Sequence, residues 1–352
     1  MYLATYSTLS EHVAKAFAPG RVNLIGEHTD YNDGLAMPFA VTAGVTVTAT
    51  RLTGDSVEAL AHDLGERDEF SLREPGHARG WRAFVHGAVA ELQALGYELP
   101  AARVEISGDL ARGSGLSSSA ALEIALCLAL IELAGAVPPG LVDLARLGQR
   151  IEHDWVGAQT GLLDQLASLS GEAGRAVLID FRTLEIEPLP LELGEHRLVT
   201  LFSGEAHANA ASGYNRRREE CVEAAHRMGV ESLRDAQIQD LHMLPDVLAR
   251  RARHVISENG RVLGAVTALR RRDFDKLGHL LDLSHASLRA DFEVSTPAIE
   301  ETVGRLKAAG ALGARVVGGG FGGNVLALMP PGTVAPAGAT VVSPGPGARV
   351  LA

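Results

Sequence analysis

A chain of 352 residues with 46% hydrophobic residues can bury a sizeable core, and its length fits two domains better than one. The formal net charge of -11 argues against a general nucleic-acid binder, because phosphate-backbone affinity comes from clustered Lys and Arg; any anion must be bound locally. The longest apolar stretch, Ala120 to Ala134, is broken by Glu123 and Glu132 and is too short and too charged to span a membrane, and the first residues lack the basic segment and apolar run of a signal peptide. The two cysteines, Cys127 and Cys221, lie far apart and in no CxxC pair, so a reducing, cytoplasmic setting is expected.

Residues 19 to 34, PGRVNLIGEHTDYNDG, crowd Arg21, Asn23, Glu27, His28, Asp30, Asn32 and Asp33 around the apolar Val22, Leu24 and Ile25. A calcium loop fails on spacing, since Gly34 comes one residue too early and Ala40 stands where the closing Glu belongs. No second His lies at zinc-ligand spacing from His28. Carboxylates, amides and an imidazole without a cation or nucleophile suit a polyhydroxylated ligand, which needs many donors and acceptors at fixed angles. Asp33 is expected to cap the turn at Gly34.

The alternation in Gly44 to Arg51 predicts a half-buried strand, as does Arg103 to Ser107, with a helix over Ala83 to Leu95 between them. The stretch GDLARGSGLSSSAALEIALCLALIEL then runs from a strand through a Gly/Ser loop into a helix over Ala120 to Ala134, closed by Gly135 with Pro138 and Pro139 beyond. The first N–H groups of a helix lack intrahelical partners and favour negative charge, so this arrangement outlines a phosphate cradle. Gly113 and Gly115 allow close backbone approach, and Ser117, Ser118 and Ser119 add hydroxyls for phosphate or magnesium, where an ordinary N-cap needs one. It is not a P-loop, having no Lys nearby, nor a nucleophile elbow, having Ser119 where the second Gly belongs.

A helix is predicted around Leu141 to Val156. Asp164 follows in an apolar segment, GLLDQLASL, where an unpartnered carboxylate is costly; it is either a structural hydrogen-bonder or a catalytic base. Glu152 and His153, taken as residues alone, fit a solvated face. A strand near Ala176 to Asp180 precedes TLEIEPLPLELGEH, whose prolines and charges suit a connection between domains. The second half resumes with the strand RLVTLFS, several Arg/Glu-rich amphipathic helices between about Gly213 and Leu288, and two apolar runs flanking GGGFGG.

Gly318, Gly320 and Gly323 match GxGxxG, but a dinucleotide fingerprint must open a helix and be followed by an acidic residue, and no Asp or Glu occurs after Glu301. The glycines form either a flexible hairpin or a turn whose bare backbone lies close to something. After Pro330 the chain is Gly/Pro/Ala-rich, and no internal repeat is evident.

Together these stretches carry a family resemblance. GRVNLIGEHTDYN resembles the signature of the galactokinases, GSGLSSSA resembles the ATP motif of the GHMP kinases, and GGGFGG is similar to that superfamily's third motif. Order and spacing match, as does GLLDQ, so the resemblance runs from Phe17 to Leu328. The first motif is highly specific, the second alone marks only the superfamily, and the third is weak by itself. The chain departs from the family pattern at Ala111 (usually Pro), His86 (often Lys), Val317 (often Thr) and in TGLLDQ, where Cys-Gly-Ile-Met-Asp-Gln is common.

The resemblance implies an ATP-dependent phosphotransferase that makes galactose 1-phosphate from α-D-galactose and MgATP, the first committed step of galactose catabolism. Carried onto this chain, Asp164 would be the general base for the C1 hydroxyl. Arg21 beside it would lower the effective pKa of that hydroxyl and steady charge on the phosphoryl group. Glu27, His28 and Asp30 would hold sugar hydroxyls, Gly161 would offer backbone, and Tyr214 would close over the ring. Gly113, Ser114, Gly115, Leu116, Ser117, Ser118 and Ser119 would bind ATP. Trp81 and Phe84 match the adenine-side segment, a core aromatic pair being the alternative there. Ser119 and Glu152 would ligate Mg2+.

The implied fold is α+β, a two-domain GHMP kinase fold with an N-terminal ribosomal protein S5 domain 2-like domain (1–185) and a C-terminal ferredoxin-like domain (195–352). The expected partners are galactose and ATP, with no nucleic acid, no membrane and no obligate protein partner, in a monomer. A sister kinase for N-acetylgalactosamine, galacturonate or arabinose, and a non-catalytic galactose/ATP sensor, are the alternatives. The intact Glu27-His28-Thr29-Asp30 run favours galactose, and the presence of Ser119, Asp164 and Arg21 favours catalysis.

Overall fold

The computed structural model describes residues 12–110, 115–206 and 210–352, with side chains from residue 213 onward in the last segment. Its first half contains β1 (Val13–Asn23), β2 (Leu35–Ala36), β3 (Pro38–Arg51), β4 (Ser56–Ala61) and β5 (Glu66–Ser71), then α1 (Trp81–Ala94), β6 (Ala102–Gly108), α2 (Ser118–Leu133) and α3 (Leu141–Arg150). A π-helical turn at Ile151–Val156 leads to α4 (Leu163–Leu169) and the hairpin of β7 (Arg175–Asp180) and β8 (Glu185–Pro190). The second half contains β9 (Arg197–Phe202), α5 (Ala210–Met228), α6 (Asp246–Arg271), α7 (Phe274–Ala290), α8 (Pro297–Ala308), β10 (Gly313–Val316), β11 (Asn324–Met329), β12 (Thr340–Val342) and β13 (Arg349–Leu351). No helix among the described residues is long and apolar enough to cross a membrane.

The strands form a six-stranded sheet in the order β13-β1-β3-β6-β4-β5, a four-stranded sheet β10-β11-β9-β12 and a small sheet β2-β7-β8. In β3, Val45, Val47 and Ala49 point into the core and Thr46, Thr48 and Thr50 lie half-exposed, as their alternation requires. The strand starts earlier than that alternation, at Pro38. Residues 38 to 41 are buried on both faces, and Pro38, Phe39 and Ala40 pair with Asn23, Val22 and Arg21 beyond an irregularity in β1 after Pro19, so no alternation marks them.

Helix α2 is apolar on nearly every side and packs on β1 and β3 as well as on α1, α3 and α4. A second core fills the C-terminal half around α5, α6 and β11. A third joins the halves: Val22, Leu24, Ile25 and Phe39 meet Val262, Ala265, Val317 and Leu326. Leu24 and Ile25 are fully buried, and each such side chain contributes roughly 1.5–3 kcal/mol. The apolar run between Arg21 and Glu27 therefore anchors the polar turn that follows it to both halves.

One expectation is corrected, and the tail carries strands that its composition did not announce. The segment read as a connection, TLEIEPLPLELGEH, contains β8, paired with β7; Pro188 and Pro190 are tolerated because β8 is an edge strand, with one side unpaired. The Gly/Pro/Ala-rich tail contains β12, on β9, and β13, which crosses back to pair with β1 in the first sheet. Gly345 N–H donates to Ala40 O (2.8 Å) and Gly347 N–H to Gly171 O (2.7 Å) on the way.

Candidate active site

The irregularity in β1 places Arg21 at the end of the strand, where its backbone N–H donates to Leu116 O (3.0 Å). A Cβ on the preceding Gly20 would lie 2.5 Å from that same carbonyl, so the close approach of strand and loop requires glycine. The Arg21 side chain donates to Gly115 O (2.5 Å) and, through Nε at 2.8 Å and Nη2 at 2.6 Å, to Asp164 Oδ1. The hydroxyl of Ser117, which caps α2 in a left-handed conformation (φ 59°), donates to the other oxygen, Oδ2. Burial pushes Asp164 up to about 6 against the opposing charge of Arg21, with Glu152 and Glu27 adding to the rise. A carboxylate poised there suits a general base near neutral pH.

Beside this pair stands the turn at 26 to 34. Gly26 (φ 102°) and His28 (φ 60°) reverse the chain, and the Thr29 hydroxyl lies 2.9 Å from Gly26 O and 2.8 Å from Leu35 O. Asn32 Nδ2 donates to His28 O (2.9 Å). Asp33 closes the turn through its own left-handed backbone, while its carboxylate lies 3.8 Å from Arg182.

Helix α6 holds the turn from the other half. Glu258 accepts from Gly26 N–H (3.0 Å), Ser284 (2.6 Å) and Arg261 (2.6 Å), and Asn259 Oδ1 accepts from Leu35 N–H (2.9 Å). The glycine-rich turn between β10 and β11 meets it from a third side. Glu27 Oε1 accepts from Gly318 N–H (2.7 Å) and pairs with the fully buried Arg315 (2.8 Å).

His28 is ringed by Tyr31, Tyr214 and Phe292, with Nδ1 2.7 Å from the Tyr31 hydroxyl and Nε2 3.2 Å from Gly319 O. Burial lowers its pKa to about 3, so the imidazole is neutral, donating from Nε2 to the carbonyl and accepting from Tyr31 at Nδ1. Asp30 is pushed the other way, to about 7, chiefly by burial and next by the charge of Asp164. A Cβ on Gly161 would lie 1.8 Å from Asp30 Oδ2, and one on Gly319 would lie 2.9 Å from Tyr214 Cδ2. The bare backbone of both glycines is what lets these side chains close in. That decides between the two readings of GGGFGG: Gly318 and Gly319 line the cavity, between two strands and opening no helix.

A cavity of about 310 Å3 collects these groups: Arg21, Glu27, His28, Asp30, Gly161, Asp164 and Tyr214 line it together with Ser117, Ser118, Ser119 and Glu152. Ser118 and Ser119 also line a second cavity of about 400 Å3, largely apolar, which Trp81, Phe84, Ile106, Leu110 and Leu122 enclose. Polar and apolar chambers thus share the start of α2. The remaining loop residues read for ATP, Gly113 and Ser114, lie outside the described residues.

The π turn changes the reading of Glu152. In place of a solvated face, the wide turn carries Glu152 into the protein, 3% exposed, where Oε2 accepts from Thr160 Oγ1 and from Gln165 Nε2 (3.1 Å). Among the described residues no three His, Cys, Asp or Glu side chains are grouped to hold a metal ion. The donors present, a serine hydroxyl and one carboxylate on the wall of a polar cavity, are hard oxygens that fit Mg2+ completed by phosphate and water. Sequence reasoning missed Thr160, Gln165, Glu258, Asn259 and Arg315. The available signal was polar residues set in apolar or helical contexts, which does not say what they face.

This combination, a Gly/Ser loop opening a buried helix with a carboxylate-arginine pair at a cleft between two α+β halves, defines a GHMP-type small-molecule kinase. The GHMP kinase N-terminal and C-terminal domain models match residues 83–172 and 265–344. The halves are accordingly the ribosomal protein S5 domain 2-like and ferredoxin-like parts of that fold. The mevalonate kinase of Methanococcus jannaschii shares it at 15% identity (TM-score 0.64, covering 96% of this chain and all of that one).

The galactokinase galactose-binding signature matches residues 4–51. A galactokinase of Thermotoga neapolitana is 40% identical over 316 residues (90% of this chain, 89% of that protein), and one of Mycobacterium tuberculosis is 43% identical over 324 residues (89% and 88%). The crystal structure of Lactococcus lactis galactokinase complexed with galactose superposes with a TM-score of 0.89 at 33% identity, covering 96% of this chain and 95% of that one. The chain belongs to the galactokinase family.

Proposed function

We infer that this protein is a galactokinase that transfers the γ-phosphoryl group of ATP to the C1 hydroxyl of α-D-galactose, giving galactose 1-phosphate and ADP. The observation that carries the reading is the Arg21–Asp164 pair, set in the cavity that a polar turn approaches from one side and the α2 loop from the other. Asp164 takes the proton of the C1 hydroxyl as that oxygen attacks the γ-phosphorus and the bond to the β-phosphate oxygen breaks. Arg21 stabilises charge on the phosphoryl oxygens. Glu27, His28 and Asp30, with the Gly161 backbone and Tyr214, hold the sugar hydroxyls and discriminate by leaving buried polar groups unpaired when a hydroxyl is misplaced.

Gly113, Ser114, Gly115, Leu116, Ser117, Ser118 and Ser119 receive the phosphates, and the apolar chamber with Trp81 and Phe84 receives the adenine. Ser119 and Glu152 would hold Mg2+, which when bound neutralises charge on the phosphates. Residues 1–185 and 195–352 act as the two lobes of the cleft, except that β13 returns to the first, in a cytoplasmic monomer.

The test is ADP release from purified protein and MgATP. Galactose is expected to support it and glucose far less. A panel of N-acetylgalactosamine, galacturonate and arabinose separates a sister sugar kinase. Galactose binding without galactose-dependent ADP would leave a sensor and end the enzymatic reading.

A further inference from the structure

Thr160, in the loop before α4, is held by four side chains. Three side chains from three elements converge on its carbonyl: Gln149 Nε2 of α3 (3.0 Å), His153 Nε2 of the π turn (2.8 Å) and Arg218 Nη1 of α5 (3.4 Å). Its backbone is thereby fixed from both halves of the protein. The hydroxyl, the one freely rotating group left, donates to Glu152 Oε2. The second donor to that same oxygen is Gln165, which follows Asp164 in the chain and also reaches the buried Glu123 (3.2 Å). The next residue, Gly161, carries the backbone against which Asp30 packs. A hydroxyl that served only the loop would bond a nearby backbone group. This one holds a buried carboxylate eight residues away.

We propose that Thr160 is the positioning residue for Glu152: by loading Oε2 together with Gln165, it turns the carboxylate so that Oε1, which carries neither bond, is the oxygen presented to a divalent cation on the nucleotide. The inference rests on the assignment of Glu152 to the magnesium side of the site. Outer groups that orient a metal ligand typically matter 10- to 100-fold in metal affinity. Thr160→Val keeps the shape and removes the hydroxyl; Thr160→Ser keeps the hydroxyl.

The experiment measures the affinity of a non-hydrolysable ATP analogue by calorimetry, once with Mg2+ and once in EDTA. The ratio of the two dissociation constants reports how strongly the protein couples metal to nucleotide. Thr160→Val is expected to reduce that ratio roughly 10-fold, with Thr160→Ser close to the parent and galactose affinity in EDTA within about twofold of it. An unchanged ratio in Thr160→Val overturns the proposal. So does equal weakening of galactose and nucleotide that serine does not rescue, since that is the behaviour of a loop anchor. Glu152→Gln is measured alongside: if its ratio matches the parent, the magnesium assignment fails and the inference with it. A collapsed ratio in Glu152→Gln beside a normal one in Thr160→Val rejects the role of Thr160 alone.

Discussion

Arg21 and Asp164 meet through two guanidinium nitrogens on a single carboxylate oxygen, Oδ1, leaving Oδ2 to the hydroxyl of Ser117. The base is thus held at both oxygens before substrate arrives. With its pKa near 6, kcat/KM for galactose is expected to fall as pH drops below about 6, where the free enzyme gains the proton. Asp164→Ala should lower kcat by 100-fold or more, on the order of a lost general base, while far-ultraviolet circular dichroism stays unchanged. Arg21→Ala removes the charge that opposes burial, so the acid limb of its residual activity should move to higher pH. A pH–rate profile of the two proteins checks this.

Gly161→Ala is expected to act on the sugar. The added Cβ would fall 1.8 Å from Asp30 Oδ2, inside the carboxylate's own space, so that side chain has to move. Displacing Asp30 should raise KM for galactose several-fold or more and leave KM for ATP nearly unchanged. Steady-state kinetics with each substrate varied in turn separates the two.

Asp30 itself links protonation to stability. Its folded-state pKa, about 7, lies above the ordinary carboxylate value of 3.8, so the folded protein binds the proton more tightly than the unfolded chain does. The sign follows: its contribution is fully present below about pH 4 and is lost as pH rises through about 7. Asp30→Asn, which keeps an acceptor oxygen and removes the charge, should raise the ligand-free Tm more at pH 8 than at pH 4.5. Thermal melts at the two pH values measure the difference.

Glu258 behaves in the opposite sense. Despite burial, the charges of Arg261, His254 and Arg315 and the Ser284 hydroxyl hold its carboxyl down to about 2. It contributes stability above about pH 4.5 that is lost as pH falls toward 2. Glu258→Ala strands Arg261 and the Gly26 N–H, and breaking a buried pair of this kind costs about 3–5 kcal/mol. Urea unfolding at pH 7 should show it, and weakened galactose binding should accompany it, because Gly26 opens the turn that carries Glu27 and His28.

The sequence makes the chemistry of this site more legible than its scaffolding. Arg21, Asp30, Ser119 and Asp164 sit in dense local motifs, and the structure brings them onto one cavity. Helices α1 and α2 run close to their predicted limits because apolar composition and a closing glycine mark them. What could not be read were contacts between distant segments. Glu258 and Asn259 look like ordinary polar residues of an amphipathic helix until α6 is seen to lie under the turn at 26 to 34. Glu152 looks solvated until the π turn carries it inward. Strand β8 was hidden by its prolines, which only an edge position permits, and α8 fell beyond the helices read from charge pattern.

The return of β13 to the first sheet gives the chain a topology in which its two described ends lie side by side, Lys15 opposite Leu351 and Phe17 opposite Arg349. The whole second half is in effect an excursion between β8 and β13, tethered at both ends to the first. The second half is therefore joined to the first through two chain crossings, one at each of its ends, and neither crossing leaves it as a free-ended flap.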